Sequence, residues 1–301
     1  MRFELTTDQR DFAASLESLL SAAGTVAAAR AWAAGDHDPG LKLWQRLAEQ
    51  GVTMLATEAT PVEVVVAFEA LGRHAVPGPW VESAAYLPVA LGREVEGIGT
   101  VGAPRALDAD VADELYAVVD GALHTATAGA AHVSVDRARH LSDVTVGDPV
   151  EHRDLAAAYD LAALATAAQL LGTGERVLAD AVTYVKQRRQ FGREIGSYQA
   201  IKHKLADVRI ALDFARPLVL GAALVPTGSI TERERAVSAA KVACADAAYL
   251  ASRTGLQVHG AIGYTQEFDL SVWITKIRAL VTAWGTPAEH RARILDSLVG
   301  A

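Results

Sequence analysis

One stretch of the sequence restricts the fold more than any other, because its apolar residues recur at steps of three, four and seven positions. These residues are Leu161, Leu164, Ala168, Leu171, Leu178, Val182 and Val185. Their spacing predicts one helix of about 30 residues with a single apolar stripe. Gly192 follows where a C-terminal cap would close this helix. A stripe of this length, together with other long helices joined by short connections, is typical of a helical bundle.

Three further helical patterns complete that bundle. The first contains Pro217, which is expected to bend it. The next starts at Ser229 and Glu232, which have capping-box spacing, and is rich in alanine. The last covers about residues 269–281. We therefore predict that residues 155–301 form an antiparallel four-helix bundle.

The rest of the chain divides into a helical part and a β-rich part. Residues 1–96 carry helical patterns, with a capping box at Thr6 and Gln9 and a helix starting at Pro61. Residues 97–154 mix Val, Thr and Gly in short runs between turn residues, which predicts several short strands. The predicted fold is mainly α with a small β segment: an N-terminal helical domain, a reduced middle β domain and the C-terminal bundle.

Composition argues against several classes of function. The chain has 28 basic and 36 acidic residues and a net charge of -8, which disfavours a dedicated nucleic-acid binder. Apolar runs such as VEVVVAF are far shorter than the roughly 20 residues of a membrane span, so none is predicted. The single cysteine, Cys244, excludes an intrachain disulfide, and the N-terminus MRFELTTDQR has no signal pattern. These features predict a cytoplasmic protein.

The sequence also predicts no metal site and no nucleophilic cysteine. The nine histidines are scattered, and none is paired at the i, i+4 spacing of a helical metal site. Cys244 lies in an alanine-rich helical pattern, where a small buried hydrophobic residue is the ordinary interpretation. The glycine motifs G-x-G-x-x-G and G-x-x-x-x-G-K-[ST] are absent, so the usual phosphate-binding loops are not expected.

Two segments remain as candidates for binding: QRRQFGREIGSYQAIKHKLAD (187–207) and LQVHGAIGYTQEFDL (256–270). Arg188 offers planar donor groups suited to a pyrophosphate, and Phe191 offers a ring for stacking. A turn at Gly260 would bring backbone N–H groups close to a ligand. A plainer explanation is equally open, because a helix C-terminus favours basic side chains and a glycine turn needs no ligand.

Both segments resemble signatures of the acyl-CoA dehydrogenase family. The first is similar to the C-terminal pattern QR-x-x-FGR-x-IG-x-x-Q-x-x-x-HKLAD, and the second to Q-x-x-GG-x-G-(F/Y)-x-x-E, with Ala261 replacing one glycine. The stretches FELTTDQRDF and EALGRHAVPGPWVE are also similar to this family. The resemblance covers the N-terminal helices and everything from about residue 155 onward.

The resemblance implies a flavin site that is shared between subunits. In this family, flavin adenine dinucleotide (FAD) lies between subunits, and the two segments belong to the neighbour that covers its pyrophosphate and adenine. Arg188, Gln190 and Phe191 would then contact the pyrophosphate and ribityl region of a partner's FAD, and Gln199 would lie near the adenine. The second loop would be supplied by Gln257, Gly260, Ala261 and Gly263.

The sequence departs from the family at the catalytic base. The family's reaction removes a proton from Cα of an acyl-CoA thioester and passes the Cβ hydrogen to the flavin as hydride, so a carboxylate must reach the α-proton. Trp284 occupies the usual position of that Glu, and Trp cannot accept a proton. Ala162 occupies the alternative base position on the long helix, and Asp160 is about 200° away around the helix axis. Asp160 is better explained as part of a helix start, so no catalytic residue is assigned.

The middle segment departs as well, because nothing in residues 97–154 matches the β-barrel that holds the flavin ring in complete members. The chain therefore resembles the short, degenerate subunit of bacterial heterotetrameric acyl-CoA dehydrogenases, which are associated with CoA thioesters of bulky groups such as steroids. This implies an α2β2 complex with a longer subunit that supplies the flavin pocket and base, an acyl-CoA substrate and an electron-transfer acceptor. Two alternatives stay open: a complete homo-oligomeric enzyme with an unconventional base, and a structural or regulatory homologue without flavin contact.

Overall fold

The computed structural model describes residues 3–226 and 228–299, which are mostly helical with one five-stranded sheet. The helices are α1 (Thr7–Ala22), α2 (Thr25–Ala33), α3 (Asp38–Glu49), α4 (Leu55–Glu58), α5 (Pro61–Arg73), α6 (Leu87–Leu91), α7 (Leu155–Gln187), α8 (Gln199–Ala223), α9 (Ile230–His259), α10 (Leu270–Thr282) and α11 (Pro287–Val299). The strands are β1 (Gly99–Val101), β2 (Arg105–Leu107), β3 (Glu114–Val119), β4 (Ala122–His132), β5 (Leu141–Pro149), β6 (Arg189–Gln190) and β7 (Arg193–Glu194). Short 3-10 turns cover Val52–Met54, Ile195–Ser197 and Gly260–Tyr264, and a π-helical turn covers Glu82–Tyr86. The predicted fold class, mainly α with a small β segment, is confirmed.

The chain forms two compact units. The bundle unit comprises the described parts of residues 1–4, 68–75 and 166–301, and the sheet unit comprises residues 5–67 and 76–165. The division into domains at residues 96 and 154 stays a prediction.

The helical part of the sheet unit begins at the predicted capping box. The backbone N–H of Gln9 donates to Thr6 Oγ1 (3.2 Å), and the backbone N–H of Thr6 donates to Gln9 Oε1 (3.0 Å). This pairing satisfies two N–H groups that the helix itself leaves without a partner. Helix α2 was not predicted, because it starts after Gly24 without any side-chain cap.

The sheet of this unit is small and mixed. Its strand order is β1-β3-β4-β5-β2; β1 runs parallel to β3, and the other pairs are antiparallel. Buried residues are concentrated in β1–β3 and at the beginning of β4 and β5, whereas the far half of β4 is largely exposed. The prediction of several short strands in residues 97–154 is therefore confirmed.

In the bundle unit, α7 crosses the end of α5 at two glycines. A Cβ atom on Gly72 would collide with the carbonyl group of Gln169, and one on Gly172 would collide with the carbonyl group of Glu69. Both positions therefore need glycine, because the two backbones approach each other directly.

Charged side chains beside this crossing join α5, α7 and α8. Arg216 donates to both oxygens of Glu69 (2.8 and 3.0 Å) and to Glu175 (3.1 Å), and Arg209 holds Glu175 through two hydrogen bonds of 2.7 Å. Burial of Glu175 would raise its pKa, but the hydrogen bonds from Arg209 and Arg216 outweigh that effect and lower the pKa. The carboxylate therefore stays ionised in a half-buried position.

The bundle contains one more helix than was predicted. Helices α7–α10 correspond to the four predicted ones, and α11 packs against α9 as a fifth. Helix α11 follows a capping box in which Thr286 N–H donates to Glu289 Oε2 (2.7 Å) and Glu289 N–H donates to Thr286 Oγ1 (3.2 Å). The capping box predicted at Ser229 is wrong, because that side chain makes no capping hydrogen bond to α9.

Helix α7 is long and apolar enough to cross a membrane by length and composition alone. However, 72% of its apolar stretch is buried inside the protein. That burial is typical of the core helix of a bundle. The predicted absence of a membrane span stays a prediction.

Candidate functional site

Helix α7 ends at Gln187, and a two-stranded hairpin follows immediately. Strands β6 and β7 pair Arg189 with Glu194 and Gln190 with Arg193. The two turn residues between them, Phe191 (φ 49°) and Gly192 (φ 81°), both have positive φ, which is the conformation of a type I′ turn. Gly192 therefore closes a hairpin turn. The prediction from the sequence that Gly192 caps α7 is wrong.

The side chains of this hairpin differ in the contacts that they make with the rest of the protein. Arg189 lies 3.9 Å from a carboxylate oxygen of Glu194, and the guanidinium of Arg193 lies 3.9 Å from the ring centre of Tyr198. Arg188 is exposed, and no acidic side chain in residues 3–226 or 228–299 forms an ion pair with it. Gln190 is also exposed, and 90% of Phe191 is accessible to solvent. A bulky aromatic residue at positive φ is uncommon, and the conformation costs about 1 kcal/mol.

The second candidate segment lies at the end of α9. The helix stops at His259, because Gly260 turns the chain with φ 64° and ψ -139°, and there is open space around its Cα. Gln257, Gly260 and Ala261 are exposed. Gly263 is buried against Leu256 and the Cβ of His259, so it shapes the turn from below.

The fold brings the two segments together at one end of the bundle. Ala181 and Val185 of α7 and Val258 of α9 form a buried cluster, against which Tyr184, Ile195, Ile201 and Leu205 pack. The rings of Tyr184 and His259 stack above this cluster at 4.2 Å. The cluster therefore holds the hairpin, the start of α8 and the end of α9 side by side, and Gln199 is exposed at the first position of α8.

His259 was not singled out in the sequence, yet it occupies the centre of this arrangement. It is buried, its Nδ1 donates to the carbonyl oxygen of Gly255 (2.7 Å), and its ring also lies 5.2 Å from that of Phe268. Tyr184 lies three residues before the first segment and His259 lies within the second, so their position was the only available signal.

The loop that contains Trp284 is held by groups of the protein itself. Trp284 (φ 53°) and Gly285 (φ 98°) both have positive φ. The buried ammonium of Lys241 donates to the carbonyl oxygens of Leu280 (3.3 Å), Val281 (3.1 Å) and Gly285 (3.0 Å). His290 Nε2 bonds to the carbonyl oxygen of Trp284 (2.9 Å). The loop therefore presents a half-buried indole on a fixed main chain, with no carboxylate at that position.

The other two positions considered for a base lie on α7 and are closed to solvent. Ala162 is completely buried, and Asp160 is 1% exposed. The start of α7 is capped by Asp154, whose Oδ1 accepts from the backbone N–H groups of Ala156 (3.0 Å) and Ala157 (2.9 Å), and Asp160 lies in the second turn of the helix. Cys244 is buried as predicted, and burial raises the pKa of its thiol to about 12, so it is not a nucleophile at neutral pH.

The end of the bundle thus combines an unpaired guanidinium, exposed amides, an exposed ring and an open glycine turn. Guanidinium groups form paired hydrogen bonds with phosphate oxygens, and aromatic rings stack on flat ligands. The arrangement is suited to binding an extended dinucleotide.

Comparison with known proteins agrees with the motifs. The family model described as "Acyl-CoA dehydrogenase, C-terminal domain" matches residues 155–299. The acyl-CoA dehydrogenase IpdE2 of Mycobacterium tuberculosis is 28% identical over 307 aligned residues, which cover 93% of this chain and 94% of the relative.

Solved structures share the fold. The ChsE4-ChsE5 complex of Mycobacterium tuberculosis contains a chain with a TM-score of 0.82 and 20% identity, with complete coverage of both chains. A Tcur3481-Tcur3483 steroid ACAD variant gives a TM-score of 0.81 at 17% identity and covers 97% of this chain and 98% of its own. The match to residues 155–299 includes both signature segments, and this part of the chain is a C-terminal domain of the acyl-CoA dehydrogenase family.

Proposed function

We propose that this chain is the short, non-catalytic subunit of a flavin-dependent acyl-CoA dehydrogenase and supplies half of the FAD site to a longer partner. The longer subunit would hold the flavin ring and the carboxylate that removes the α-proton. Neither Trp284 nor Ala162, at the two usual base positions of the family, can accept that proton.

The observation that carries this proposal is the exposure of the hairpin. Phe191 is 90% exposed on a backbone with positive φ, and Arg188 has no acidic partner among the residues that the structure describes. Neither feature stabilises this chain. Both would be used if a phosphate-bearing ligand of a neighbouring subunit covered the hairpin.

The residues of both segments fit FAD, which homologues in this family use. Arg188 would bind the pyrophosphate, Phe191 would cover the ribityl region together with Gln190, and Gln199 would lie near the adenine. Gln257 and the exposed main chain of Gly260 and Ala261 would form the second wall, supported from below by Gly263. When bound, FAD supplies the acceptor for the hydride that leaves Cβ of the substrate.

An apolar row on α8 supports assembly with another subunit. Ile210, Phe214 and Leu218 are exposed at i, i+4 and i+8, so they share one face of the helix, and Phe214 is 73% exposed. Contiguous exposed apolar groups mark protein–protein contacts. The ChsE4-ChsE5 complex and Tcur3481-Tcur3483 are each named after two proteins, which favours a two-component assembly. We extend this assembly to an α2β2 heterotetramer.

The substrate we propose is an acyl-CoA thioester with a bulky, steroid-like acyl group. This rests on the likeness to the Tcur3481-Tcur3483 steroid ACAD. The reduced flavin would pass its electrons to a separate electron-transfer acceptor.

Co-expression with a longer acyl-CoA dehydrogenase homologue tests the proposal. The complex should purify with FAD and dehydrogenate an acyl-CoA thioester, whereas this chain alone should be colourless and inactive. Flavin binding and turnover by the chain alone would contradict the assignment to a non-catalytic subunit.

The half-site is tested by Arg188→Ala within the complex. Loss of a charge-assisted contact to phosphate should weaken FAD binding about tenfold to thirtyfold. Lys186→Ala is the matched control, since it removes an exposed cation from the last turn of α7 and should leave flavin content unchanged. Full retention of FAD by the Arg188→Ala complex would exclude the proposed clamp.

A further inference from the structure

The sheet unit brings together three side chains that are far apart in the sequence. His37 precedes α3, Asp110 lies in the loop after β2, and His140 precedes β5. His37 Nε2 lies 3.4 Å from His140 Nδ1 and 3.5 Å from Asp110 Oδ2, and His140 Nδ1 lies 3.6 Å from the same Asp110 oxygen. The three atoms form a nearly equilateral triangle.

The size of this triangle distinguishes a shared ion from a set of hydrogen bonds. All three separations exceed the range of about 2.7–3.2 Å that is normal for an N–H···O hydrogen bond, so no pair is well placed to form a hydrogen bond. Ligand atoms about 2.0–2.2 Å from a tetrahedral zinc ion are about 3.3–3.6 Å from one another, because the edge of a tetrahedron is about 1.63 times the bond length. An octahedral ion with similar bonds would need edges of about 3.0 Å. The observed edges match the tetrahedral case.

The surroundings fix two of the three ligands. Asp108 is fully buried, and its Oδ1 accepts from the backbone N–H of His140 (2.9 Å) and from Trp32 Nε1 (3.2 Å). The ring of Trp32 in turn contacts the ring of His37, with centroids 4.6 Å apart. Asp108 therefore orients both histidines indirectly, as supporting groups around metal ligands do.

We propose that His37 Nε2, His140 Nδ1 and Asp110 Oδ2 bind one Zn²⁺ ion, with the fourth position open to water. Two imidazole nitrogens and one carboxylate oxygen form a ligand set that suits zinc. The side chain of Asp110 is about half exposed and those of the histidines are partly exposed, so the ion can enter from solvent. The bound ion ties the start of α3 to two loops of the sheet and stabilises this unit.

Metal titration of the complete, untagged chain tests the site. After purification in the presence of a chelator, the chain is dialysed against ZnCl2 and the retained zinc is measured by mass spectrometry. We expect one ion per chain and a midpoint of thermal unfolding several degrees higher with zinc than without it. CoCl2 in place of zinc should give the intense visible bands of four-coordinate cobalt.

The variants His140→Gln and Asp110→Asn should each weaken zinc binding, by about 100-fold or more for the histidine. His203→Gln is the control, because His203 is an exposed histidine on α8 in the bundle unit and should leave binding unchanged. Because Asp110 is half exposed, Asp110→Asn should fold normally. Thermal unfolding of both variants without metal checks that they are folded. Zinc retention by the wild type no greater than that of Asp110→Asn would overturn the proposal, as would equal loss in His203→Gln.

Discussion

Two turns of the bundle unit have similar φ angles and opposite surroundings. Phe191-Gly192 and Trp284-Gly285 each place an aromatic residue and then a glycine at positive φ: 49° and 81° in the first, 53° and 98° in the second. The first turn projects into solvent with Phe191 exposed. The second is fixed from inside by the buried ammonium of Lys241 and by His290.

The difference teaches what each turn is for. Backbone strain persists only where the surrounding structure enforces it. At Trp284 the enforcing groups belong to this chain, so the turn contributes to its own stability. At Phe191 only the two-residue hairpin enforces the conformation, which fits our proposal that another molecule uses the ring. Substitutions in the two turns should therefore affect different measurements.

The largest expected effect is on the inner turn. Lys241→Met keeps the length of the side chain but leaves the carbonyl groups of Leu280, Val281 and Gly285 without their shared donor. Burial lowers the pKa of Lys241 to about 8, so at pH 7 the amine still carries three N–H groups, one for each carbonyl. We expect the free energy of unfolding in urea to fall by about 3 kcal/mol.

Lys204→Met is the control for this substitution, because Lys204 is exposed on α8. It should change stability by less than about 0.5 kcal/mol. Desolvation of a buried charge is costly, and apolar residues that replace a buried ion pair are often neutral or stabilising. A Lys241→Met variant as stable as the wild type would therefore mean that desolvation, and not the carbonyl contacts, decides the energy at this position.

The next prediction exchanges the aromatic residue in each turn for Asn, which tolerates positive φ. Trp284→Asn removes a half-buried indole and should reduce stability by about 1–2 kcal/mol. Phe191→Asn creates an Asn-Gly type I′ turn and should raise stability by about 0.3 kcal/mol. In the co-expressed complex, however, Phe191→Asn should lower flavin content. Equal losses of stability in both variants would remove the distinction between the turns.

A smaller effect is expected for Gly192→Ala. A Cβ atom at Gly192 meets nothing within 4 Å, so only the backbone strain at φ 81° opposes the substitution. That strain is about 1 kcal/mol. The hairpin can relieve part of it by opening locally, so the midpoint of urea unfolding should shift by less than this amount. A loss well above it would show that the hairpin is part of the cooperative core.

The structure of the hairpin could not be predicted from the sequence alone. A glycine with positive φ after a long apolar pattern is equally compatible with a helix cap and with a type I′ turn, so Gly192 was assigned to the end of α7. Most of the long helices were predictable, because periodic apolar residues and the Thr6–Gln9 capping box are local signals. The capping box formed by Thr286 and Glu289 was an equally local signal, and α11 could have been predicted from it.

Contacts between distant positions were not predictable in this way. The clustering of the two candidate segments depends on the stacking of Tyr184 on His259, and only the family resemblance suggested that these segments meet. His37 and His140 contact each other because α3 and the sheet fold together, which no spacing within a single helix could indicate. The prediction that the chain has no metal site followed from the absence of local spacing, and zinc titration will decide it.

The smallest effect concerns the pH dependence of the inner turn. His290 is buried; its Nε2 donates to the carbonyl oxygen of Trp284 and its Nδ1 faces Ser238 Oγ at 3.1 Å. Burial lowers the pKa of His290 below its ordinary value of 6.5. Below this ordinary pKa, His290 of the unfolded chain binds a proton that His290 of the folded chain does not. Stability therefore falls as the solution is acidified, by at most about 1.4 kcal/mol per pH unit.

Urea midpoints between about pH 7 and pH 5 should therefore decline less steeply in His290→Gln than in the wild type, whereas His203→Gln should keep the wild-type slope. Identical slopes in the wild type and His290→Gln would contradict the conclusion that the lowered pKa of His290 causes the loss of stability in acid.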